Sequence, residues 1–142
     1  MSIKLDLGCG NDKVKGWIGL DREASRTPTI VVDLMTGIPY KDNEVDYIHT
    51  SHFLEHVLKP EFIISEIYRV CKNNSIVDIV IPLNLPIDIP RGHVITLGDD
   101  FIQKYIDPVK FKLLFYEIKI KDRPFIFEEA TIKLRITKKN LK

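Results

Sequence analysis

The feature that most limits how this sequence can fold is a set of five short apolar runs. Each run is ended by a turn residue or a carboxylate. They occupy residues 3–7, 17–20, 30–32, 45–50 and 76–81. Apolar runs of this length between turn residues are typical of strands that are covered on both faces of a sheet. Two further runs, at 112–121 and 131–137, predict strands in the last third of the chain. The sequence therefore predicts seven strands.

One long helical pattern separates the fourth predicted strand from the fifth. Five apolar residues recur there at the spacing of one helix face: Phe62, Ile63, Ile67, Val70 and Cys71. Pro60 stands where the first turn of a helix accepts a proline. Shorter helices are predicted at 53–58 and at 101–105, the second with Asp99 as its cap. Seven strands around a central helix indicate an α/β sheet with an antiparallel pair at its end.

Length and composition leave room for one domain with a hydrophobic core. The chain has 142 residues, of which 44% are hydrophobic and 29% charged, as in globular and not in disordered chains. No apolar run approaches the roughly 18 residues of a membrane span, and the first six residues do not resemble a signal peptide. Cys9 and Cys71 fit neither a disulfide framework nor a paired metal motif, so we expect a reducing cytoplasm.

The formal net charge of +1 conceals a gradient along the chain. From Phe101 onward there are 11 Lys/Arg and 5 Asp/Glu residues, a balance of +6, while the preceding part has a balance of −5. A basic end can attract an anionic substrate, RNA or DNA. Lysines on the solvent face of strands, followed by a frayed basic tail at 138–142, explain the same charge without a ligand. Nucleic-acid binding therefore stays open.

The turn after the first strand carries the strongest functional signal. In Leu5–Gly10 the glycines Gly8 and Gly10 stand where the strand must turn sharply, and a backbone without Cβ atoms can approach a ligand closely. Asp21 and Asp33 each end a predicted strand at the sheet edge where open α/β folds bind ligands. An acidic residue after the second strand can accept both hydroxyls of a ribose. Together the three signals indicate a nucleoside-type ligand.

The order and spacing of these elements resemble the class I S-adenosylmethionine-dependent methyltransferases, most closely the branch with a Leu-Glu-His signature (type 11-like), in a shortened form. The resemblance spans about residues 3–105, and its elements include Leu5–Gly10, Gly19–Asp21, Val32–Leu34, Phe53–Val57 and Glu66–Val70. It implies a Rossmann-like, seven-stranded, mostly parallel sheet in the order 3-2-1-4-5-7-6. It also divides a single domain, 1–142, into a cofactor half up to about residue 82 and a substrate loop with C-terminal strands at 83–137.

The resemblance implies S-adenosylmethionine as cofactor and assigns eight residues to it: Asp6, Gly8, Cys9, Gly10, Asp21, Asp33, Leu34 and Ser51. The glycine turn would line the methionine end, with Asp6 orienting that turn or meeting the amino group. Asp21 would hold the ribose hydroxyls, Asp33 and Leu34 would flank the adenine, and Ser51 would lie near the sulfonium. The implied reaction is an in-line methyl transfer to an acceptor that the sequence does not reveal. His52 and His93 are the candidate general bases.

Asp12 and the loss of helices on one sheet face favour an alternative without catalysis. Asp12 replaces the third glycine of the family's motif. Lys72–Ser75 also replaces the family's Lys-Pro-Gly-Gly turn, but asparagine can adopt the left-handed conformation almost as glycine does, so that turn is expected to persist. The alternative is a methyltransferase-like domain that binds cofactor or a partner with little or no activity.

A remote alternative is a zinc hydrolase, because residues 52–56 also match the His-x-x-Glu-His pattern of inverted zinc proteases. On a helix, His52 and His56 would face the same way, with Glu55 as base and Glu128 or Glu129 as a distant third ligand. That chemistry needs neither a glycine turn nor carboxylates at two strand ends. We therefore expect no metal.

The connections between the first strands are too short for the helices that such a sheet normally carries. Six residues separate Gly10 from Trp17 and seven separate Asp21 from Thr29, whereas a helical crossover needs about a dozen. Helices of one sheet face are therefore expected to be reduced or absent. A bare face would be a large apolar patch, and we predict that a homodimer covers it.

Overall fold

The computed structural model describes residues 2–11, 13–23 and 28–138. Its strands are β1 (Lys4–Leu7), β2 (Ile18–Asp21), β3 (Ile30–Val31), β4 (Val45–Ser51), β5 (Cys71–Leu83), β6 (Phe111–Lys121) and β7 (Phe127–Ile136). They form one sheet in the order β3-β2-β1-β4-β5-β7-β6. The predicted strand number and the predicted order are confirmed.

The sheet is parallel except at one end. β1 pairs with β2 and β4, and β3 and β5 extend these pairs outward in the same direction. β7 runs antiparallel to β5, and β6 runs antiparallel to β7. The carboxyl ends of β1, β2, β3 and β4 consequently meet at one edge, which is the edge where parallel sheets bind ligands.

Two helices cover one face of this sheet. They are α1 (Pro60–Val70) and α2 (Phe101–Tyr105), and three 3-10 turns occur at Leu34–Thr36, Leu54–His56 and Ile89–Arg91. Ile63, Ile67 and Val70 of α1 and Phe101 of α2 are buried in the same core as Leu5 and the other inward-facing strand residues. Burial of each such large apolar side chain contributes about 1.5–3 kcal/mol, so the core on this face positions the strand ends.

The junction between α1 and β5 differs from the prediction, because the helix continues into the strand without a loop. Val70 ends α1, and Cys71, predicted as helical, begins β5 and pairs with Val45. Residues 72–75 form an irregularity before the next pair, and Asn74 within it has φ 71°. The left-handed conformation expected for this replaced turn is therefore present.

The cap of α2 also differs from the prediction. Asp100 occupies the cap position of α2, without a capping hydrogen bond from its side chain. Asp99, the predicted cap, instead accepts a hydrogen bond from Asn84 Nδ2 at 3.0 Å. The prediction for Asp99 is wrong because a contact outside the helix takes up its carboxylate.

The second sheet face lacks helices, as predicted, but it is not apolar. In the described residues no helix connects β1 to β2 or β2 to β3. Strand alternation places Lys4, His49 and Asp78 on this face, and the Tyr47 hydroxyl donates to Asp78 at 2.8 Å. Trp17 of the β1–β2 loop packs over Tyr47, with ring centroids 4.8 Å apart. The predicted apolar patch is wrong, because polar side chains alternate with the core residues and the loop covers part of the face.

No helix in the described part of the chain combines the length and the hydropathy that crossing a bilayer requires.

Candidate functional site

A cleft of about 850 Å³ lies at the carboxyl ends of β1 to β4. The structure places in its wall all eight predicted cofactor residues: Asp6, Gly8, Cys9, Gly10, Asp21, Asp33, Leu34 and Ser51. His52 lies there too, but His93 does not. His93 lines a smaller cavity of about 430 Å³ with Pro86, Arg91 and Phe125. Asp12 lies outside the described residues.

The turn after β1 is held in a left-handed conformation against β2. Gly8 has φ 62° and Gly10 has φ 56°. The Gly8 and Cys9 amides both donate to the Leu20 carbonyl, at 2.8 and 3.3 Å. A Cβ atom at Gly8 would lie 2.3 Å from Cδ1 of Phe53, so only glycine fits between the turn and that ring. The backbone of this turn forms one wall of the cleft.

Asp21, at the end of β2, ties this turn to the next loop. Its Oδ2 accepts the Gly10 amide and its Oδ1 accepts the Glu23 amide, each at 3.0 Å. A carboxylate oxygen can accept two hydrogen bonds. Each oxygen of Asp21 therefore keeps one lone pair for a ligand, and the two amides fix the orientation of the carboxylate at the cleft wall.

Asp6 supports the same turn from beneath the cleft. It is 3% exposed, and its Oδ2 accepts the Val14 amide at 2.8 Å. Burial raises the pKa of the Asp6 carboxyl, and the Val14 amide and the nearby His49 and Lys13 side chains partly oppose this shift. Burial, reinforced by Asp21 and Asp6, raises the pKa of the Cys9 thiol. The Cys9 thiol is thus uncharged at neutral pH and is not a nucleophile of this site.

The end of β3 supplies an apolar wall with one carboxylate. Asp33 Oδ1 accepts the Met35 amide at 2.9 Å and so caps the 3-10 turn Leu34–Thr36. Leu34 is buried, while Val32 and Met35 line the cleft beside it. This arrangement can hold a flat heterocycle on an apolar surface, with a hydrogen-bond acceptor at its rim.

The end of β4 brings His52 to the cleft through a left-handed residue. His52 has φ 54°, and its amide donates to the Val80 carbonyl at 2.9 Å. Its Nε2 donates to Oε2 of Glu129 on β7 at 2.6 Å. Glu129 therefore orients the His52 ring at the cleft wall.

Glu55 and His56 follow in a 3-10 turn and not in the predicted helix. Glu55 is 3% exposed, and burial raises the pKa of its carboxyl, opposed by its own backbone amide and by His56 and His52. The His56 ring packs against the His93 ring, with centroids 4.9 Å apart. Burial and the neighbouring His56 lower the pKa of His93, so its ring is neutral at pH 7.

Comparison with known proteins matches this chain to one family. Residues 5–79, more than half of the chain, fit the family described as methyltransferase domain. The chain belongs to this family. The predicted relationship is therefore confirmed. Among curated proteins, no sequence gives a significant match.

Solved structures share the fold of this methyltransferase domain at low sequence identity. A candidate methyltransferase from Bacillus halodurans has TM-score 0.76 and 13% identity, covering 95% of this chain and 92% of its own. A SAM-dependent methyltransferase from Methanosarcina mazei has TM-score 0.73 and 16% identity, covering 96% and 92%. A complex of the Haloferax volcanii Trm112 methyltransferase activator with a candidate methyltransferase has TM-score 0.74 and 13% identity, covering 99% and 84%.

The sequence predicts a substrate loop after residue 82, but it does not predict which residues of that loop close the cleft of the methyltransferase domain from the side of β5. Ile89, Arg91 and Val94 line the cleft, and the Val94 amide donates to the Glu55 carbonyl at 3.0 Å. Arg91 pairs with Asp88 at 3.3 Å. The proline-rich composition of this segment marks it as a loop, but contacts between residues this far apart leave no local pattern.

Proposed function

We propose that this methyltransferase domain binds S-adenosylmethionine in the 850 Å³ cleft and transfers its methyl group in line to an acceptor. The observation that carries the proposal is that one cleft collects every residue assigned to the cofactor. Its volume falls in the range of about 300–1,000 Å³ that is usual for small-molecule sites.

Successive parts of the cleft wall fit the ribose, the adenine and the methionine end of this cofactor. Asp21 offers two oriented acceptor oxygens, which suit the vicinal hydroxyls of a ribose. Val32, Leu34 and Met35 offer an apolar surface for the adenine, with Asp33 at its edge. The left-handed turn at Gly8 and Gly10 allows the methionine end to approach the backbone.

The domain's residues act by alignment more than by chemical activation. When bound, S-adenosylmethionine supplies a methyl group on a positively charged sulfur that departs with the bonding electron pair. Ser51 and His52 line the cleft at the end of β4, and we place the acceptor beside them. His52 is favoured over His93 as the base, because only His52 lines the cleft. A positioned base contributes about 10²–10⁴-fold when the acceptor carries a proton.

Titration calorimetry with S-adenosylmethionine and S-adenosylhomocysteine tests the proposal. We expect the Asp21→Asn variant to bind both ligands at least about 10-fold more weakly, since a hydrogen bond to a charged group contributes about 1.5–3 kcal/mol. Asp122→Asn is the matched control, because Asp122 lies in the exposed turn between β6 and β7. Equal affinities of the two variants would contradict the ribose assignment, and absence of binding to the unmodified chain would contradict the proposal.

The same ligands separate the proposal from the non-catalytic alternative. If S-adenosylhomocysteine, the product formed from the cofactor, binds but no acceptor in a panel is methylated, the result supports a cofactor-binding domain without activity. The panel should include anionic small molecules and RNA, since the basic C-terminal third keeps both acceptors under consideration. The zinc hydrolase is not favoured, because the family match accounts for the Leu-Glu-His signature without hydrolysis.

The homodimer and the cytoplasmic location stay predictions. The polar character of the helix-free face removes the reason that we gave for a dimer. A partner of another kind is an alternative proposal, because one similar structure is a complex with a methyltransferase activator. Light scattering at micromolar concentration decides the first point, and a species of monomer mass alone would contradict the homodimer.

A further inference from the structure

Glu55 is a buried carboxylate that the proposed methyl transfer does not use. It is 3% exposed, and neither Oε1 nor Oε2 has a hydrogen-bond partner among the described residues. Removing a charged carboxylate from water without a partner is more costly than burying a neutral polar group. Either a proton on Glu55 or a cation beside it would remove this cost.

His56 directs an unused lone pair at this carboxylate. Its Nδ1 lies 2.7 Å from the Gly92 carbonyl oxygen, and because a carbonyl can only accept, Nδ1 must carry the hydrogen. In the neutral ring Nε2 then has a free lone pair, and it lies 3.7 Å from Oε2 of Glu55. This distance is too long for a hydrogen bond, and it leaves a gap between two atoms that can each donate an electron pair to a metal ion.

His93 completes a cluster of three donors. One ligand atom from each of Glu55, His56 and His93 lies within 4.8 Å of the other two. His52 also approaches this carboxylate, with Nδ1 3.7 Å from Oε2. The basic side chain nearest in sequence to His93, Arg91, is paired with Asp88 at 3.3 Å.

We propose that Glu55, His56 and His93 bind a divalent transition-metal ion, Zn²⁺ foremost. Two imidazole nitrogens and one carboxylate oxygen are the protein ligands of a three-ligand zinc site, which keeps a fourth position open. Bonds of about 2.1 Å to atoms 3.7 Å apart subtend roughly 125° at the ion, close to tetrahedral. Tetrahedral bonds of this length place two ligand atoms about 3.4 Å apart, so a gap at the 4.8 Å limit of the cluster must close by about 1.4 Å, which side-chain rotation can supply.

The bond from His56 to Gly92 supports this assignment. Ligating histidines almost always donate their second ring N–H to a carbonyl or carboxylate, which selects the tautomer and directs the free nitrogen at the metal. His56 lines the cleft and His93 lines the smaller cavity, so the ion would lie between the two spaces. The site differs from the zinc-protease pattern, because Glu55 is a ligand and not the base, and His93 replaces His52 as the second histidine.

The test uses the full chain without an affinity tag, stripped with a chelator and titrated with Zn²⁺ against a chromophoric indicator. We expect one Zn²⁺ per chain and a rise of the melting temperature on binding. Loss of a direct ligand should cost more than the 10–100-fold typical of outer-shell partners, so Glu55→Gln, His56→Asn and His93→Asn should each weaken binding more than about 100-fold. His49→Asn, on the helix-free face, is the histidine control and should bind normally.

Circular dichroism and melting without metal show whether each variant folds. Because His93 is partly exposed, His93→Asn keeps the proposal testable if Glu55→Gln does not fold. Replacement of Zn²⁺ by Co²⁺ should give the visible absorption bands of a four-coordinate ion in the unmodified chain and not in the ligand variants. Absence of stoichiometric Zn²⁺ binding, or equal losses in His49→Asn and His93→Asn, would overturn the proposal. Both outcomes are independent of S-adenosylmethionine binding and of methyl transfer.

Discussion

Replacement of Gly8 by alanine tests the geometry of the cleft most directly. The new Cβ would lie 2.3 Å from Cδ1, 2.5 Å from Cγ and 2.8 Å from Cβ of Phe53. Rotation of the Phe53 ring cannot relieve the last contact, because its Cβ is attached directly to the backbone. The turn after β1 or the backbone at Phe53 must therefore move, and both line the cleft.

Two destabilising contributions add in Gly8→Ala: backbone strain at residue 8 and the steric clash with Phe53. A left-handed non-glycine residue costs about 1–2 kcal/mol, and Gly8 has φ 62°. The steric clash of the new methyl group with Phe53 costs about a further 1–3 kcal/mol. The expected loss of unfolding free energy is thus about 2–5 kcal/mol, which for a chain of this length lowers the melting temperature by roughly 4–20 °C.

Gly16→Ala is the matched control, because it introduces the backbone strain without the steric clash. Gly16 has φ 83°, and a Cβ there meets no heavy atom of the described residues within 4 Å. We expect it to lose only about 1–2 kcal/mol. Urea denaturation followed by the fluorescence of Trp17, the single tryptophan, measures both values. Equal losses would refute the role of the Phe53 contact, and an unchanged Gly8→Ala variant would refute the left-handed turn itself.

Two further predictions concern stability away from the cleft. Arg69 donates two hydrogen bonds to Glu66 and others to the loop before β4. Arg69→Ala should therefore lower the unfolding free energy, measured by urea denaturation, by about 2–3 kcal/mol. Lys72→Ala is the control, because Lys72 forms an exposed ion pair, and it should lower the unfolding free energy by less than about 1 kcal/mol. The Ile3 amide and Lys72 hold the pKa of Asp46 below 3.8. Because the pKa is lowered in the folded state, the ionised Asp46 stabilises the fold above about pH 4, and this stabilisation is lost as the pH falls through the folded-state pKa. Asp46→Asn should therefore lose less stability than the unmodified chain in denaturation curves measured from about pH 5 to pH 3.

The elements that the sequence predicts well are those with local causes. Apolar runs closed by turn residues locate all seven strands to within a few residues, apart from the early start of β5 at Cys71. Asp21 and Asp33 could be predicted at the binding edge because a residue that ends a parallel strand must lie there. The strand order itself came from the family resemblance, since strand neighbours in space leave no mark in a single sequence.

The open sheet face shows why connection length alone was insufficient. Short loops correctly predicted that helices are missing, but they say nothing about which side chains face outward. That depends on the register of each strand, which places Tyr47, His49 and Asp78 on the exposed side. A shift of one residue would have exposed Ile48 and Val77 in their place. The alternation of polar and apolar residues in β4 and β5 was a weak local signal of this arrangement.

The segment from His52 to His56 shows how a sequence motif can predict a geometry that the fold does not adopt. On a helix the two histidines would share one face and bind a metal together, with Glu55 as a base. Instead His52 adopts a left-handed conformation and a 3-10 turn follows, and each histidine has a ring nitrogen 3.7 Å from Oε2 of Glu55. His52 is then held by Glu129 and His56 by Gly92, both distant in sequence. Because His93 and not His52 forms the cluster of possible ligands with Glu55 and His56, the metal site proposed above depends on the fold, and the motif spacing alone would have named different ligands.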